Sequence, residues 1–193
     1  MLFKSIDKKI TVVPYEKRWK EEFKKAYNFY SELLEGLDVS IEHVGSTSVE
    51  GLRAKPILDI DIIVPNSQVC LEVIEKLTSV GYEHTGNLGV EGREAFRYSE
   101  DNEYIHWMKH HLYVCIEGSE NLVNHLLLRN HLRNNKSAVE EYGKLKQELA
   151  EKYPNDIDAY VKGKTSFIIN ILEKEGMDKE ALNRITRINK KDK

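Results

Sequence analysis

Cysteine and long apolar runs are scarce in this chain, and each scarcity excludes a class of protein. Only two cysteines occur among 193 residues, so the chain is not a disulfide scaffold, and nothing indicates an oxidising compartment. No stretch reaches about 18 consecutive apolar residues, so we expect no membrane span and no membrane partner. The first nine residues lack the apolar region of a signal peptide. These absences together favour a cytoplasmic protein.

Charge and size also limit the classes of protein to which the chain can belong. The chain carries 29 basic and 32 acidic side chains, a net charge of −3, which gives no general argument for a nucleic-acid partner. Its 193 residues fit one domain. A chain of this length buries roughly 70% of its unfolded surface, so it needs neither a disulfide nor a metal to fold. The oligomeric state stays open.

Apolar periodicity divides the chain into two parts. Helical spacing covers residues 15–37 and 67–80, with Ser67 as the expected N-cap of the second helix. Strands are predicted at residues 39–44, 58–64, about 82–98 in two pieces, and 110–116, and residues 10–13 are either a short strand or an extended lead-in. Further helices follow at residues 119–134, 137–152 and 157–174. A sheet-containing part over about 10–118 and a helical part over 119–175 predict one α+β domain, residues 1–175.

A basic tail follows this domain at residues 176–193. The segment Met177 to Lys193 holds six basic and three acidic side chains. Its apolar residues recur at helical spacing: Ala181, Leu182, Ile185 and Ile188. The pattern predicts a solvated C-terminal helix with a frayed end, and the alternative is an arm that docks on a partner or an acidic surface.

Two aspartates on one predicted strand are the most informative feature. Asp59 and Asp61 lie in the strand at 58–64 and point to the same face, roughly 7 Å apart, because side chains alternate along a strand. Carboxylates on an otherwise apolar strand are unfavourable unless a cation pairs with them. An edge strand facing water is the alternative, which the flanking Leu, Ile and Val residues disfavour. The turn Gly45-Ser46 precedes this strand and could hold a phosphate. We therefore expect a phosphate cradle beside a Mg²⁺ or Mn²⁺ site.

Other side chains are candidates for the same site. Lys55, just before the aspartate strand, either neutralises a phosphate or is a surface lysine. The basic side chains of the helical part are mostly solvated in the simplest interpretation, with one or two reaching back to phosphates: Arg129, Arg133, Lys144, Lys146, Lys162 and Lys164. Arg93 and Arg97 are equally plausible phosphate ligands. His111 and Tyr113 face the same pocket if their strand neighbours the aspartate strand.

A long run of residues resembles a known family. Ile41 to Asp59 is similar to the signature of the GrpB family, in which His-x-Gly-Ser-Thr leads through Gly-Leu-x-Ala-Lys-Pro to an aspartate. The resemblance covers residues 11–174 and includes five further segments: Val12 to Tyr15 with Trp19, His111 to Val114, His125 to Arg133, Tyr142 to Leu149, and Tyr160 with Lys164. This chain departs from the pattern at Ser48, Glu50 and Tyr113, where the family usually has alanine, proline and histidine.

The resemblance implies a nucleotidyltransferase-like fold, a small mixed β-sheet with packed helices and a helical C-terminal region. In that superfamily a Gly-Ser turn holds nucleotide phosphates and an Asp-x-Asp pair holds a divalent metal. The third acidic ligand of active members has no match in this chain. Some relatives are fused to dephospho-coenzyme A kinase, which hints at coenzyme A metabolism.

Two functional hypotheses follow. The first is a metal-dependent nucleotidyltransferase that uses a nucleoside triphosphate and a small-molecule or protein acceptor. The second is a non-catalytic protein that binds a nucleotide or another phosphorylated small molecule on the same fold. Asp59 and Asp61 are the expected catalytic residues, and they bind Mg²⁺ or Mn²⁺ together with His111. The expected phosphate-binding residues are Gly45, Ser46, Thr47, Lys55 and Arg129.

Overall fold

The structure is a computed structural model that describes residues 9–190. Five strands form its sheet: β1 Ser40–Val44, β2 Leu58–Val64, β3 Glu83–Gly86, β4 Arg93–Arg97 and β5 His110–Ile116. Six α-helices accompany them: α1 Arg18–Leu33, α2 Ser67–Ser79, α3 Glu120–Asn134, α4 Lys136–Lys152, α5 Ile157–Lys174 and α6 Lys179–Lys190. The predicted α+β class is therefore confirmed.

The sheet is mixed and places the aspartate strand in its interior. The strand order is β1-β2-β5-β4-β3, with β2 and β5 parallel and the other neighbours antiparallel. Strand β2 is hydrogen-bonded on both sides, so it is not an edge strand whose face meets water. Asp59 pairs with His111 and Asp61 with Tyr113 across the β2–β5 ladder. The predicted neighbourhood of the two strands is confirmed.

The two faces of β2 have different environments. Ile60 and Ile62 are fully buried in a core with Trp19 and Tyr30 of α1 and Leu77 of α2. The alternation of side chains sends the two aspartates to the opposite face. That face is covered by helices of the C-terminal half, since α3 contacts both β1 and β5. The site therefore lies between the sheet and the helical part of the domain.

One local prediction needs correction. The N-cap of α2 is Asn66, not Ser67, because the Asn66 side chain accepts hydrogen bonds from the backbone N–H groups of Gln68 and Val69. Of the two alternatives for residues 10–13, the structure has the extended lead-in, with a single antiparallel bridge between Val13 and Ala54.

The basic tail does not form a solvated helix. Leu182 and Ile185 of α6 are buried against Leu172 of α5. The Arg184 guanidinium contacts the Glu120 carboxylate at 2.6 Å, which links α6 to the start of α3. The apolar stripe is thus used to pack α6 onto its own domain, and residues 191–193 lie outside the described part. Among the described helices, none has the length and apolar character required to cross a membrane.

Candidate functional site

The Gly-Ser turn lies directly against the first aspartate. Val44 at the end of β1 pairs with Asp59, so the following Gly45 reaches the carboxylate. Gly45 has φ +66°, and a Cβ added there would lie 2.0 Å from Asp59 Oδ2. Only glycine fits such a close approach in this backbone conformation. The turn then continues as one 3₁₀ turn, Ser46–Ser48.

Each aspartate is hydrogen-bonded by a histidine. His111 Nδ1 donates to Asp59 Oδ1 at 2.9 Å, and His125 Nδ1 donates to Asp61 Oδ2 at 2.7 Å. Burial raises the pKa of Asp59, but the hydrogen bond and charge of His111 outweigh it and hold the pKa below its ordinary value. Asp61 is fully buried, and its Oδ1 has no partner among the described residues. Asp59 is thus ionised at neutral pH, and Asp61 keeps one oxygen for a further ligand.

His125 is a site residue that the sequence did not reveal. It lies on α3, and its ring covers Asp61, which itself does not line the cavity described below. Burial lowers the pKa of His125, but the charge and hydrogen bond of Asp61, with the charge of Asp59, outweigh burial and raise the pKa. His125 begins the segment His125 to Arg133 that resembles the family, but that resemblance gave the histidine no role at the site. Only the position of α3 over β2 brings it to the aspartate.

Two lysines from the helical part point into the site. Lys146 of α4 is 2% exposed, and its Nζ donates to Ser46 Oγ at 2.9 Å. Burial lowers the pKa of Lys146 to about 6, with the charge of Lys164 acting in the same direction. Burial likewise lowers the pKa of Lys164 to about 8. Lys144 and Lys162 are exposed, as expected if most of these basic side chains are solvated. Lys146 and Lys164 instead reach back to the site.

A cavity of about 360 Å³ joins these groups. Its wall contains residues of the turn, the strands and helices α3 to α5, including Gly45, Ser46, Lys55, Asp59 and His111. Burial lowers the pKa of Lys55 as well, and its Nζ lies 5.7 Å from the centre of the Tyr160 ring. Lys55, Lys146 and Lys164 make no salt bridge in the described part of the chain. The cavity therefore has lysines without ionic partners close to a pair of carboxylates.

Two expected phosphate ligands have other partners. Thr47 is buried outside the cavity, where its hydroxyl accepts from His43 Nε2 at 3.0 Å and donates to the Ile57 carbonyl at 3.3 Å. Its side chain holds the turn and does not reach the cavity, contrary to expectation. Arg129 lines the cavity, but one of its nitrogens donates to the Glu42 carboxylate and to the His43 carbonyl. Its charge is thus largely neutralised by Glu42.

Comparison with known proteins shows the family of this chain. The family model described as GrpB protein matches residues 9–174. The chain belongs to the GrpB family. The glutamate-rich protein GrpB of Alkalihalophilus pseudofirmus is 32% identical over 169 residues, which cover 84% of this chain and 94% of that protein. Protein YqkA of Bacillus subtilis is 29% identical over 161 residues, 83% of this chain, and the match spans only 46% of YqkA.

Solved structures show the same fold. The crystal structure of GrpB from Enterococcus faecalis has a TM-score of 0.73 and 32% identity, and the match covers 90% of this chain and 98% of that one. The Cid1 poly(U) polymerase with bound MgGTP has a TM-score of 0.51 at 14% identity, covering 72% of this chain and 44% of Cid1. At that identity the likeness concerns the fold alone. The GrpB chain described here therefore has a nucleotidyltransferase-like fold.

Proposed function

We propose that this protein binds a nucleoside triphosphate together with one divalent metal ion and transfers the nucleotidyl group to an acceptor. The observation that carries the proposal is one cavity whose wall contains three lysines and Asp59, with Asp61 next to it behind His125. A metal–triphosphate complex has matching chemistry, because its phosphate oxygens need cations and its metal needs oxygen ligands. Cid1 provides a parallel, since structures of that protein contain MgGTP and Mg 3′-dATP.

The three lysines suit the outer phosphates. Lys146 and Lys164 come from two different helices and line one cavity together with Lys55, and Lys146 also donates to Ser46 in the turn. Burial makes the charged form of these three lysines unfavourable in the partly closed cavity, and an anion with several charges would remove that penalty by favouring the protonated form. Ser46 adds a hydroxyl, which accepts from Lys146 and can donate to a phosphate oxygen. We therefore assign these four residues to the triphosphate.

The two carboxylates fit a divalent ion. Asp61 Oδ1 is buried without a described partner, and Asp59 lies beside it on the same face of β2. Carboxylate oxygens are the ligands that Mg²⁺ and Mn²⁺ prefer, and such ions usually take their remaining ligands from substrate phosphates and water. Asp59 and Asp61 would hold the ion, which when bound would neutralise charge on the phosphates. His125 covers Asp61 and has to give way for this.

The reaction is an in-line displacement at the α-phosphorus. A nucleophilic oxygen of the acceptor forms a bond to the α-phosphorus, and the bond from that phosphorus to the oxygen bridging the α- and β-phosphates breaks. Pyrophosphate leaves with the electron pair, and the proton of the acceptor passes to solvent. Lys55, Lys146 and Lys164 stabilise the charge that develops on the departing pyrophosphate.

Calorimetric titration of ATP, GTP, CTP and UTP, with and without Mn²⁺, tests the binding step. We expect at least one triphosphate to bind more tightly with metal, and Asp61→Asn to lose that dependence while the protein stays folded. The amide keeps the shape of the side chain but removes the charge that a hard cation needs. Asp158→Asn, an exposed aspartate on α5, is the matched control. Equal affinity in wild type and Asp61→Asn would reject the metal site.

The metal site is expected to hold one ion. Within the described residues, no group of three or more His, Cys, Asp or Glu side chains is arranged to hold a metal. Tyr113 occupies the position beside Asp61 on β5, and His111 occupies the position beside Asp59, where its imidazole can supply a further ligand. We therefore expect Mn²⁺ to be preferred over Mg²⁺, with His111 nearer the ion than Tyr113. Anomalous scattering from a crystal soaked with Mn²⁺ and nucleotide measures this, and two fully occupied ions would contradict it.

The same missing carboxylate favours a second candidate function, a non-catalytic sensor or carrier of a nucleotide. Two-metal phosphoryl transfer needs ligands that bridge two ions, and Asp59 and Asp61 alone anchor one ion well. Release of pyrophosphate in the presence of acceptor mixtures separates the two functions. Tight metal-dependent binding with no release above that of Asp61→Asn would establish the binding protein.

A further inference from the structure

A second cavity, of about 850 Å³, adjoins the first. The two share three wall residues, Asn124, His125 and Asn189. His125 is hydrogen-bonded to Asp61, so the boundary between the cavities lies next to the carboxylates. A transfer reaction needs a place for its second substrate beside the reacting phosphate. The second cavity has that position, whereas the first is lined by the phosphate-binding lysines.

Arg93 gives the second cavity a specific chemistry. Its guanidinium stacks on the ring of Tyr113, with Cζ 4.7 Å from the ring centre. Its hydrogen bonds to Asn121 Oδ1 and to the Asn87 carbonyl are both 3.4 Å long, at the weak end of the range. Its Nε is buried without a partner, and none of the salt bridges in the described part of the chain involves it. Such a poorly satisfied cation is suited to a carboxylate or phosphate group.

The remaining wall limits what can enter. Helix α6 contributes Ile185, Ile188 and Asn189, and it lies outside residues 9–174 that the family model matches. Arg184 is paired with Glu120, so neither charge is free for a ligand. Glu91 and Glu117 are exposed on the same cavity and repel a ligand with several negative charges. The cavity therefore suits a molecule with one anionic group and an otherwise neutral body.

We propose that the second cavity holds the acceptor of the transfer, a small hydroxylated molecule whose single carboxylate or phosphate group pairs with Arg93. The inference rests on the proposed function, because it names the substrate class of the same reaction. The anionic group anchors the molecule, and its hydroxyl oxygen faces the boundary at His125. That oxygen bonds to the α-phosphorus as pyrophosphate leaves with the electron pair, and its proton passes to solvent.

Binding of three matched probes tests the proposal without any need for turnover. Glycerate supplies a carboxylate, glycerol 3-phosphate supplies a phosphate, and glycerol is the neutral counterpart. Saturation-transfer NMR on the full chain detects weak binding of these probes. A non-hydrolysable triphosphate occupies the first cavity, in a buffer that contains Mg²⁺ and no Mn²⁺. We expect at least one anionic probe to bind and glycerol not to bind. Arg93→Gln should weaken the anionic probe by roughly tenfold, the effect of losing one charge-assisted hydrogen-bonded pair.

Two further variants distinguish the outcomes. Arg97→Gln changes an exposed arginine on the same strand and should leave probe binding unchanged. Arg93→Lys keeps the charge and should retain part of the affinity, which shows that a loss in Arg93→Gln is not misfolding. If neither anionic probe binds, or if binding survives Arg93→Gln, the proposal is overturned. Triphosphate affinity is titrated separately in Arg93→Gln and should be unchanged, so failure of nucleotide binding is recognised on its own.

Discussion

Replacing Lys146 by methionine should stabilise the protein while impairing its ligand binding. Lys146 is 2% exposed, and its Nζ has Ser46 Oγ as hydrogen-bond partner and lies 4.6 Å from the centre of the Tyr142 ring. No carboxylate pairs with it. Burial lowers its pKa from 10.5 to about 6, so folding removes its proton at neutral pH. Methionine has a similar length and carries no ionisable group, so the free-energy cost of removing a proton on folding disappears.

The magnitude follows from the linkage between pKa and stability. Between pH 6 and 10.5 the unfolded chain binds a proton that the folded chain does not, so the free energy of unfolding rises with pH through this window. At pH 7.5 the penalty is at most about 4 kcal/mol, since that pH lies about three units below the ordinary pKa. Allowing for the lost hydrogen bond to Ser46, we expect Lys146→Met to be more stable by roughly 1–4 kcal/mol.

Urea unfolding at a series of pH values measures both the gain and its pH dependence. Lys164, with a pKa of about 8, contributes a similar slope only above that pH, but histidines also contribute to the slope between pH 6 and 8. The histidines are present in both proteins, so the free energy of unfolding should rise more steeply with pH in the wild type than in Lys146→Met. Lys144→Met is the matched control, because Lys144 is exposed on the same helix and lies 3.8 Å from Glu148. Its effect should stay within about 0.5 kcal/mol.

Calorimetry completes the test. A bound triphosphate favours the protonated form of Lys146, so Lys146→Met should weaken triphosphate binding by roughly tenfold or more through the loss of that charge and hydrogen bond. The reasoning is refuted if Lys146→Met is less stable than the wild type at pH 7.5. It is equally refuted if both proteins show the same slope between pH 6 and 8. A more stable variant with unchanged triphosphate affinity would leave the pKa argument intact and remove Lys146 from the phosphate site.

Two other perturbations have definite expected results. Gly45→Ala places a methyl group against the Asp59 carboxylate at a positive φ. We expect this variant to lose more than about 1 kcal/mol of stability and to lose metal-dependent nucleotide binding. Gly51 is also at positive φ, but a Cβ added there would have no atom within 4 Å, so Gly51→Ala should keep nucleotide binding. An equal loss of binding in both variants would show that the contact with Asp59 is not the cause. Acid should destabilise the protein, because burial lowers the pKa of both His43 and His110 to about 4. The unfolded chain then binds more protons between about pH 6.5 and 4, and each histidine contributes a loss of up to about 3 kcal/mol over that range. Urea unfolding that gives equal stability at pH 6.5 and 4.5 would contradict this.

Local patterns were sufficient for most of the fold. The predicted limits of β2 and β5 agree with the structure at both ends, because period-two alternation of apolar residues is sharply bounded there. Helices α3 to α5 begin within one residue of the predicted positions. The tail on residues 176–193 was harder, because its apolar stripe is equally compatible with a free arm and with a helix packed on α5. Its burial depends on a partner surface that is distant in the sequence.

The sequence by itself determined which chemistry lies on β2 and its preceding turn. Alternation fixes Asp59 and Asp61 on one face, and the motif from His43 to Asp59 brings Gly45 and Ser46 into the same neighbourhood. Both statements depend on residues that are close along the chain, where strand geometry leaves few alternatives.

Only the tertiary structure decided which helical side chains complete the site. His125 is 64 residues from Asp61, and Lys146 is 100 residues from Ser46. A helix presents several faces, and the one that meets the sheet is set by packing against strands and other helices over the whole domain. In the sequence, Lys144 and Lys146 are indistinguishable surface candidates. In the folded chain a rotation of about 200° around α4 separates them, and only Lys146 reaches the turn at Ser46.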